Sequence, residues 1–188
     1  MEPHTIFFVG KPGSGKGTQA KFLSDATGWP TVTASDGLRE VISGGGVIGR
    51  KTKETMDTGL LVPHWLVSYI YLKTLFAVPE DGSIIFDGTG RTLPEAQIVL
   101  DSVRWLERPF IFFHLGVPDD DVRQRIELRK ATSGRADDHV FDKRLEAYYA
   151  DTDPAIDYYR QAGVLTEIDG TPKPEVIAAD IRSRLGIA

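Results

Sequence analysis

The stretch Gly10-Lys11-Pro12-Gly13-Ser14-Gly15-Lys16-Gly17-Thr18 constrains the chain more than any other. An apolar run, Thr5–Val9, precedes it and a helix-like stretch, Gln19–Leu23, follows. Strand, glycine-rich turn and helix in that order form the setting of a phosphate-binding loop. Glycines let the backbone curl until several N–H groups point at one anion, and the helix N-terminus adds its positive dipole end. In such a loop Gly13, Ser14, Gly15, Lys16, Gly17 and Thr18 surround bound phosphates. Lys16 then brings an ammonium to the β- and γ-phosphates, and Thr18 a hydroxyl near Mg²⁺. The pattern G-x-x-x-x-G-K-[ST] is approached with one change, Gly17 standing between Lys16 and Thr18.

At 188 residues the chain suits one domain with a sizeable core. Its net charge of −5 argues against a nucleic-acid groove. The absence of cysteine excludes disulfides and thiolate zinc sites and suits a reducing compartment, so a cytoplasmic location is expected. No apolar run approaches the length of a membrane span. The chain enters its first strand almost at once, and no signal peptide is expected.

Apolar β-rich runs alternate with helical patterns. Strands are expected at Thr5–Val9, Thr31–Thr33, Ser83–Asp87, Phe110–Leu115 and Val164–Ile168, with a helix over Lys16–Ala26. The continuously apolar runs at 83–87 and 110–115 read as strands buried on both faces. Ala96, Val99, Leu100, Val103 and Leu106 share one helical face, and Phe141, Leu145, Tyr148 and Tyr149 another. This alternation predicts an α/β fold with a parallel sheet covered on both sides and ligands beyond the C-terminal strand ends. Two stretches break the rhythm. Asp36–Pro63, interrupted by Ser43–Gly46 and Thr58-Gly59, reads as a helical insertion, and Ala131–Asp138 as a polar loop between helices.

Phosphoryl transfer needs positive charge around the transferring group more than it needs covalent chemistry. Asp87 closes an apolar strand before Gly88, as a carboxylate near Mg²⁺ would. Asp36 is a second candidate near that ion, or else a cap of the helix that begins there. Arg39, Arg91, Arg125, Arg129, Arg135 and Arg144 fall at strand ends, in loops or on polar helix faces, and arginine is the residue for bidentate phosphate contacts. His4, His64, His114 and His139 form no ligand-spaced pair, and Trp29, Trp65 and Trp105 read as packing residues.

The Gly10–Gln19 segment resembles the phosphate loop of adenylate kinases, Pro12 and the Gly-Lys-Gly-Thr-Gln ending included. The resemblance continues in order along essentially the whole chain. It takes in Ser35–Arg39, Met56–Pro63, Asp87–Pro94, Ser133–Asp138, Lys143–Leu145 and Asp169-Gly170. It implies a P-loop three-layer αβα fold with a five-stranded parallel sheet. The core would comprise 1–33, 64–130 and 139–188, with a monophosphate-binding insertion at 34–63 and a short lid at 131–138. It implies reversible transfer from Mg-ATP to a nucleoside monophosphate, with AMP as acceptor, by a monomer. Lys16, Asp87, Arg91, Arg129, Arg135 and Arg144 would be catalytic, and Arg125 would stack on the ATP adenine with Arg129 nearby. Asp137 and Asp138 would help close the lid. Ala34, Ser35, Arg39, Val62, Gly88, Arg91, Glu95, Arg135 and Arg144 would hold the acceptor.

Four departures from the family pattern bear on that acceptor. Thr89-Gly90 replaces Phe-Pro, which predicts a looser Arg91. Ala34 and Ser35 replace Thr and Gly. Glu95 stands where the adenine-reading Gln is expected, with Gln97 two residues on. An ionised carboxylate only accepts, so it faces adenine N1 unfavourably and suits the N–H donors of guanine. The spacing from Asp138 to Arg144 is also short. GMP, UMP or CMP as acceptor, and a nucleotide-binding module with little transferase activity, therefore stand as alternatives.

Overall fold

A computed structural model describes residues 4–133 and 140–187. The five expected strands form one sheet: β1 (Thr5–Gly10), β2 (Thr31–Thr33), β3 (Ile84–Asp87), β4 (Phe110–Gly116) and β5 (Leu165–Asp169). The order is β2-β3-β1-β4-β5, and every neighbouring pair is parallel. β3 starts a residue later than expected, β4 ends a residue later, and β5 is shifted by one residue toward the C-terminus.

Alternating side chains of the central strands enter two cores, as a pleated strand requires. Ile6, Phe8, Ile85 and Phe113 pack toward α1 (Lys16–Thr27) and α9 (Pro174–Arg184). Phe7, Phe86 and Phe112 face α4 (His64–Ala77), α5 (Leu93–Trp105) and α8 (Asp153–Gln161). On this second face rings stack in sequence, Phe86 on Phe7 at 5.3 Å, Phe7 on Phe112 at 4.4 Å, and Phe112 on Tyr159 of α8 at 4.1 Å. Buried aromatic pairs of this kind add about 0.5–1.5 kcal/mol each beyond the area they remove from water.

The insertion forms α2 (Ala34–Ser43) and α3 (Gly46–Asp57), separated where the glycine run was expected to break it. Thr33 caps α2, its hydroxyl accepting the Asp36 N–H at 3.0 Å. α6 runs Asp119–Ser133, so the first three residues of the predicted polar loop are helical. The remainder of that loop, with Arg135, Asp137 and Asp138, lies outside the described residues, as does His139.

Two further expectations are corrected. The α5 stripe of Ala96, Val99, Leu100 and Val103 is buried, but Trp105 points away from it and is 81% exposed. Trp65 at the start of α4 is also exposed, so only Trp29, stacked on His4, is a packing residue. After α7 (Phe141–Ala147) a π turn, Tyr148–Thr152, shifts the helical phase. Phe141, Leu145 and Tyr148 stay buried, whereas Tyr149 swings outward.

Candidate active site

Lys16 opens α1 at the C-terminal rim of β1. Its Nζ donates to the carbonyls of Gly10 at 2.9 Å and Lys11 at 2.7 Å, bringing the ammonium back over the loop. The loop needs its glycines: Gly15 precedes the helix at φ 100, and a Cβ on Gly10 would stand 2.8 Å from the Leu115 carbonyl oxygen. Burial pushes the Lys16 amine down from 10.5 to about 8. Asp87 opposes that shift, while Arg91, Arg144 and Arg129 reinforce it. Three guanidinium groups from α6, α7 and the β3–α5 loop therefore converge electrostatically on one lysine.

Asp87 ends β3 beside this loop. A Cβ on Gly17 would stand 3.2 Å from Asp87 Oδ2, so the carboxylate overhangs the first turn of α1, where Thr18 is exposed. Asp36 does not share this position in its contacts. Its carboxylate accepts from the Thr33 hydroxyl at 2.6 Å and from Arg39 Nη2 at 2.7 Å. The helix-cap reading of Asp36 is corrected: α2 begins at Ala34 with Thr33 as its cap, and Asp36 lies inside the first turn, paired with Arg39. Among the described residues no three His, Cys, Asp or Glu side chains group to hold a metal.

Arg125 projects from α6 to the edge of the phosphate loop. It donates to the carbonyls of Gly170 at 2.8 Å, Thr171 at 3.3 Å and Ser14 at 3.4 Å. Here the guanidinium bridges the loop and the segment after β5.

An open cleft lies between residues 34–62 and the rim of the sheet. Ala34, Ser35 and Val62 line it from one side, and Gly88, Arg91, Glu95 and Arg144 from the other. Arg39 is the described candidate the structure does not bring there. Its side chain is 63% exposed and ion-paired with Asp36 on the outer face of α2. Gln97 is also exposed, because it lies two residues beyond Glu95 on the far side of α5. Arg144 reaches the cleft despite the short spacing before it, since α7 begins immediately at Phe141.

Glu95 is 2% exposed, and its Oε2 accepts the Arg91 backbone N–H at 2.9 Å. Burial raises its carboxyl above the usual range, while the Arg91 amide and guanidinium favour the charged form. Arg91 is therefore held at its backbone, and the looseness expected from Thr89-Gly90 is not what the structure displays.

Sequence reasoning missed Lys11. Its ammonium donates to Val117 O at 3.0 Å and Asp119 Oδ1 at 2.5 Å, and lies 5.4 Å from the centre of the Tyr149 ring. Tyr149 donates to the same Asp119 oxygen at 2.6 Å. This group ties the phosphate loop to the start of α6 and to the π turn. Only a lysine inside the glycine loop hinted at it, and its partners lie more than 100 residues away. Lys11→Met is expected to lower stability by about 1–2 kcal/mol, because a charged hydrogen bond is lost and the Val117 carbonyl loses its side-chain donor. A urea midpoint unchanged from the parent protein would contradict this role.

A parallel sheet with a glycine loop after its central strand and a converging set of cations at one rim defines a P-loop nucleotide-binding protein of the α/β class. A family model described as adenylate kinase matches residues 8–164. An adenylate kinase of Caulobacter sp. is 38% identical over 186 residues, covering 97% of this chain and 98% of its own length. Adenylate kinases of Fusobacterium nucleatum and Thermus thermophilus are each 34% identical, over 96% and 97% of this chain and 98% and 97% of their own. The chain belongs to the adenylate kinase family. It is a phosphotransferase that uses ATP and a nucleoside monophosphate. No described helix is long and apolar enough to cross a membrane.

Proposed function

We propose that the protein catalyses reversible, Mg²⁺-dependent transfer of the γ-phosphoryl group of ATP to AMP, yielding two ADP. The observation that carries this reading is a cleft lined by Gly88, Arg91 and Arg144 next to Asp87, whose carboxylate overhangs the glycine loop that carries Lys16. On this reading the loop amides and Lys16 hold the donor phosphates, and Arg125 lies at the adenine side. Arg91 binds the acceptor phosphate from the floor of the cleft. Arg39 can join it once its exposed pair with Asp36 opens, and Arg135 comes from the lid. Arg129 and Arg144 stand where charge builds on the transferring group. That charge spreads over its oxygens, so fixed guanidinium groups stabilise it without reorganising. Residues 34–63 act as a moving part, and their closure over the cleft keeps water from competing as acceptor.

Mg²⁺ fits the rim through Thr18 and Asp87, the hydroxyl and carboxylate at the first turn of α1, with the phosphates and water completing its shell. Bound there, the ion supplies charge neutralisation to the phosphates. We place the enzyme in the cytoplasm, where a cysteine-free chain suits reducing conditions, and take it to act as a monomer, as the family resemblance implies.

Glu95 favours a second reading at the level of the base. An ionised carboxylate in the cleft pairs better with the N1–H and amino group of guanine than with adenine. Initial rates with AMP, GMP, CMP and UMP at fixed Mg-ATP separate the two. The expected result is highest kcat/KM with AMP, and a clear preference for GMP would move the assignment. ATP binding without ADP formation from any of the four would make the protein a binding module.

A further inference from the structure

The loop from Gly88 to Arg91 presents a physical problem. It carries two glycines at positive φ, Gly88 at 81 and Gly90 at 73, and so has little intrinsic preference for one conformation. Yet it must deliver Arg91 to a fixed place in the cleft. Two buried side chains from different helices grip it on either side of the Gly90–Arg91 peptide. From α8, Tyr159 Oη donates to the Gly90 carbonyl at 3.3 Å. From α5, Glu95 Oε2 accepts the Arg91 N–H at 2.9 Å. Tyr159 is 0% exposed and Glu95 2%, so neither bond has a ready replacement in water.

The fit around Gly90 is close. A Cβ there would stand 2.2 Å from Tyr159 Oη and 3.6 Å from Val99 Cγ2. The tyrosine hydroxyl occupies the space a side chain would take, and its ring is fixed by stacking on Phe112 at 4.1 Å. The loop is therefore referenced to the sheet through the aromatic stack and to α5 through a carboxylate. The two unusual features of this region, Thr89-Gly90 and Glu95, belong to one arrangement.

We infer that Tyr159 and Glu95 are positioning residues for Arg91, fixing the Gly90–Arg91 peptide so that the guanidinium meets the acceptor's phosphate group, whatever base that acceptor carries. This rests on Arg91 contacting the acceptor phosphate, as proposed above. It assigns Glu95 to the loop backbone, not to base selection.

Tyr159→Phe keeps the ring stack and removes only the hydroxyl. It is expected to raise KM for the acceptor about three- to tenfold, by the same factor for AMP and GMP, with KM for ATP within about twofold of the parent. Glu95→Ala is expected to raise acceptor KM further and equally for both bases. Glu95→Gln, whose amide oxygen can still accept the Arg91 N–H, is expected to recover most of that loss. Hydrogen exchange at the Arg91 amide gives a readout independent of turnover, and it is expected to quicken at least fivefold in Glu95→Ala. Unequal effects on AMP and GMP in Glu95→Ala, or no recovery in Glu95→Gln, would return Glu95 to base reading and overturn the inference. So would unchanged Arg91 exchange in Glu95→Ala together with an unchanged acceptor KM in Tyr159→Phe. A parent protein that turns over no monophosphate would remove the proposed function instead, leaving amide exchange to judge the positioning.

Discussion

Replacing Lys16 with methionine is expected to lower kcat/KM by about 10²–10³-fold while the fold survives, because one fixed cation at the site of developing charge is removed. The structure adds a pH dependence. Burial, reinforced by Arg91, Arg144 and Arg129, sets the Lys16 amine at about 8 in the ligand-free protein. Below that pH the amine is charged and ready for phosphates, and above it is neutral. The polyanion of ATP favours the charged form, so binding near pH 8 takes up a proton and weakens as pH rises through that value. Calorimetry of ATP binding in buffers of different ionisation enthalpy reads this uptake directly. It is expected to be substantial at pH 8, near zero at pH 6.5 and absent in Lys16→Met. The sign for stability follows from the same shift. Between about 8 and 10.5 the unfolded chain holds more protons on this lysine than the folded protein does, so stability rises with pH across that window and the gain is lost as pH falls to 8. Lys16→Met should lack this rise. Proton uptake that persists in the variant, or near-parental turnover, would remove Lys16 from the proposed role.

Arg91→Lys carries the second large effect. It keeps a positive charge but replaces a planar fork with a point charge, so bidentate recognition of a phosphate is lost. Hydrogen bonds to charged groups are worth about 1.5–3 kcal/mol each. Losing two where the guanidinium is already desolvated and faces Arg144 predicts about a 10²–10⁴-fold fall in kcat/KM for the acceptor. KM for ATP should change little, because on the proposed reading the donor phosphates are held by the loop at Gly10–Thr18. An equal loss for donor and acceptor would show that Arg91 acts on the site as a whole and not on the acceptor side.

On the proposed reading the two variants separate donor from acceptor, Lys16 on the glycine loop and Arg91 in the cleft. Their effects are expected to be less than additive in the double variant, since each charge shifts the other's neighbours and both face Asp87. Full additivity would indicate that the two groups do not share one transferring phosphoryl group.

The amino-acid sequence by itself determined the parallel α/β sheet, the phosphate loop and the family. Buried parallel strands leave continuous apolar runs, and a loop that wraps an anion with its backbone must carry glycines at fixed places. It placed the ends of α2 and α3, because Ser43–Gly46 and Thr58-Gly59 break helical periodicity. Only the tertiary structure decided which arginines share a cleft. Arg91 and Arg144 are 53 positions apart and meet there, whereas Arg39, in an equally suggestive motif, pairs with its own helix neighbour Asp36. The grip of Glu95 and Tyr159 on the Gly90–Arg91 peptide and the reach of Lys11 to Asp119 were also invisible in the chain. Periodicity reports which face of an element is apolar, but a polar contact between distant elements depends on where packing of the apolar faces brings them. Here it is the stacked rings of Phe7, Phe112 and Tyr159 that carry α8 to the loop holding Arg91.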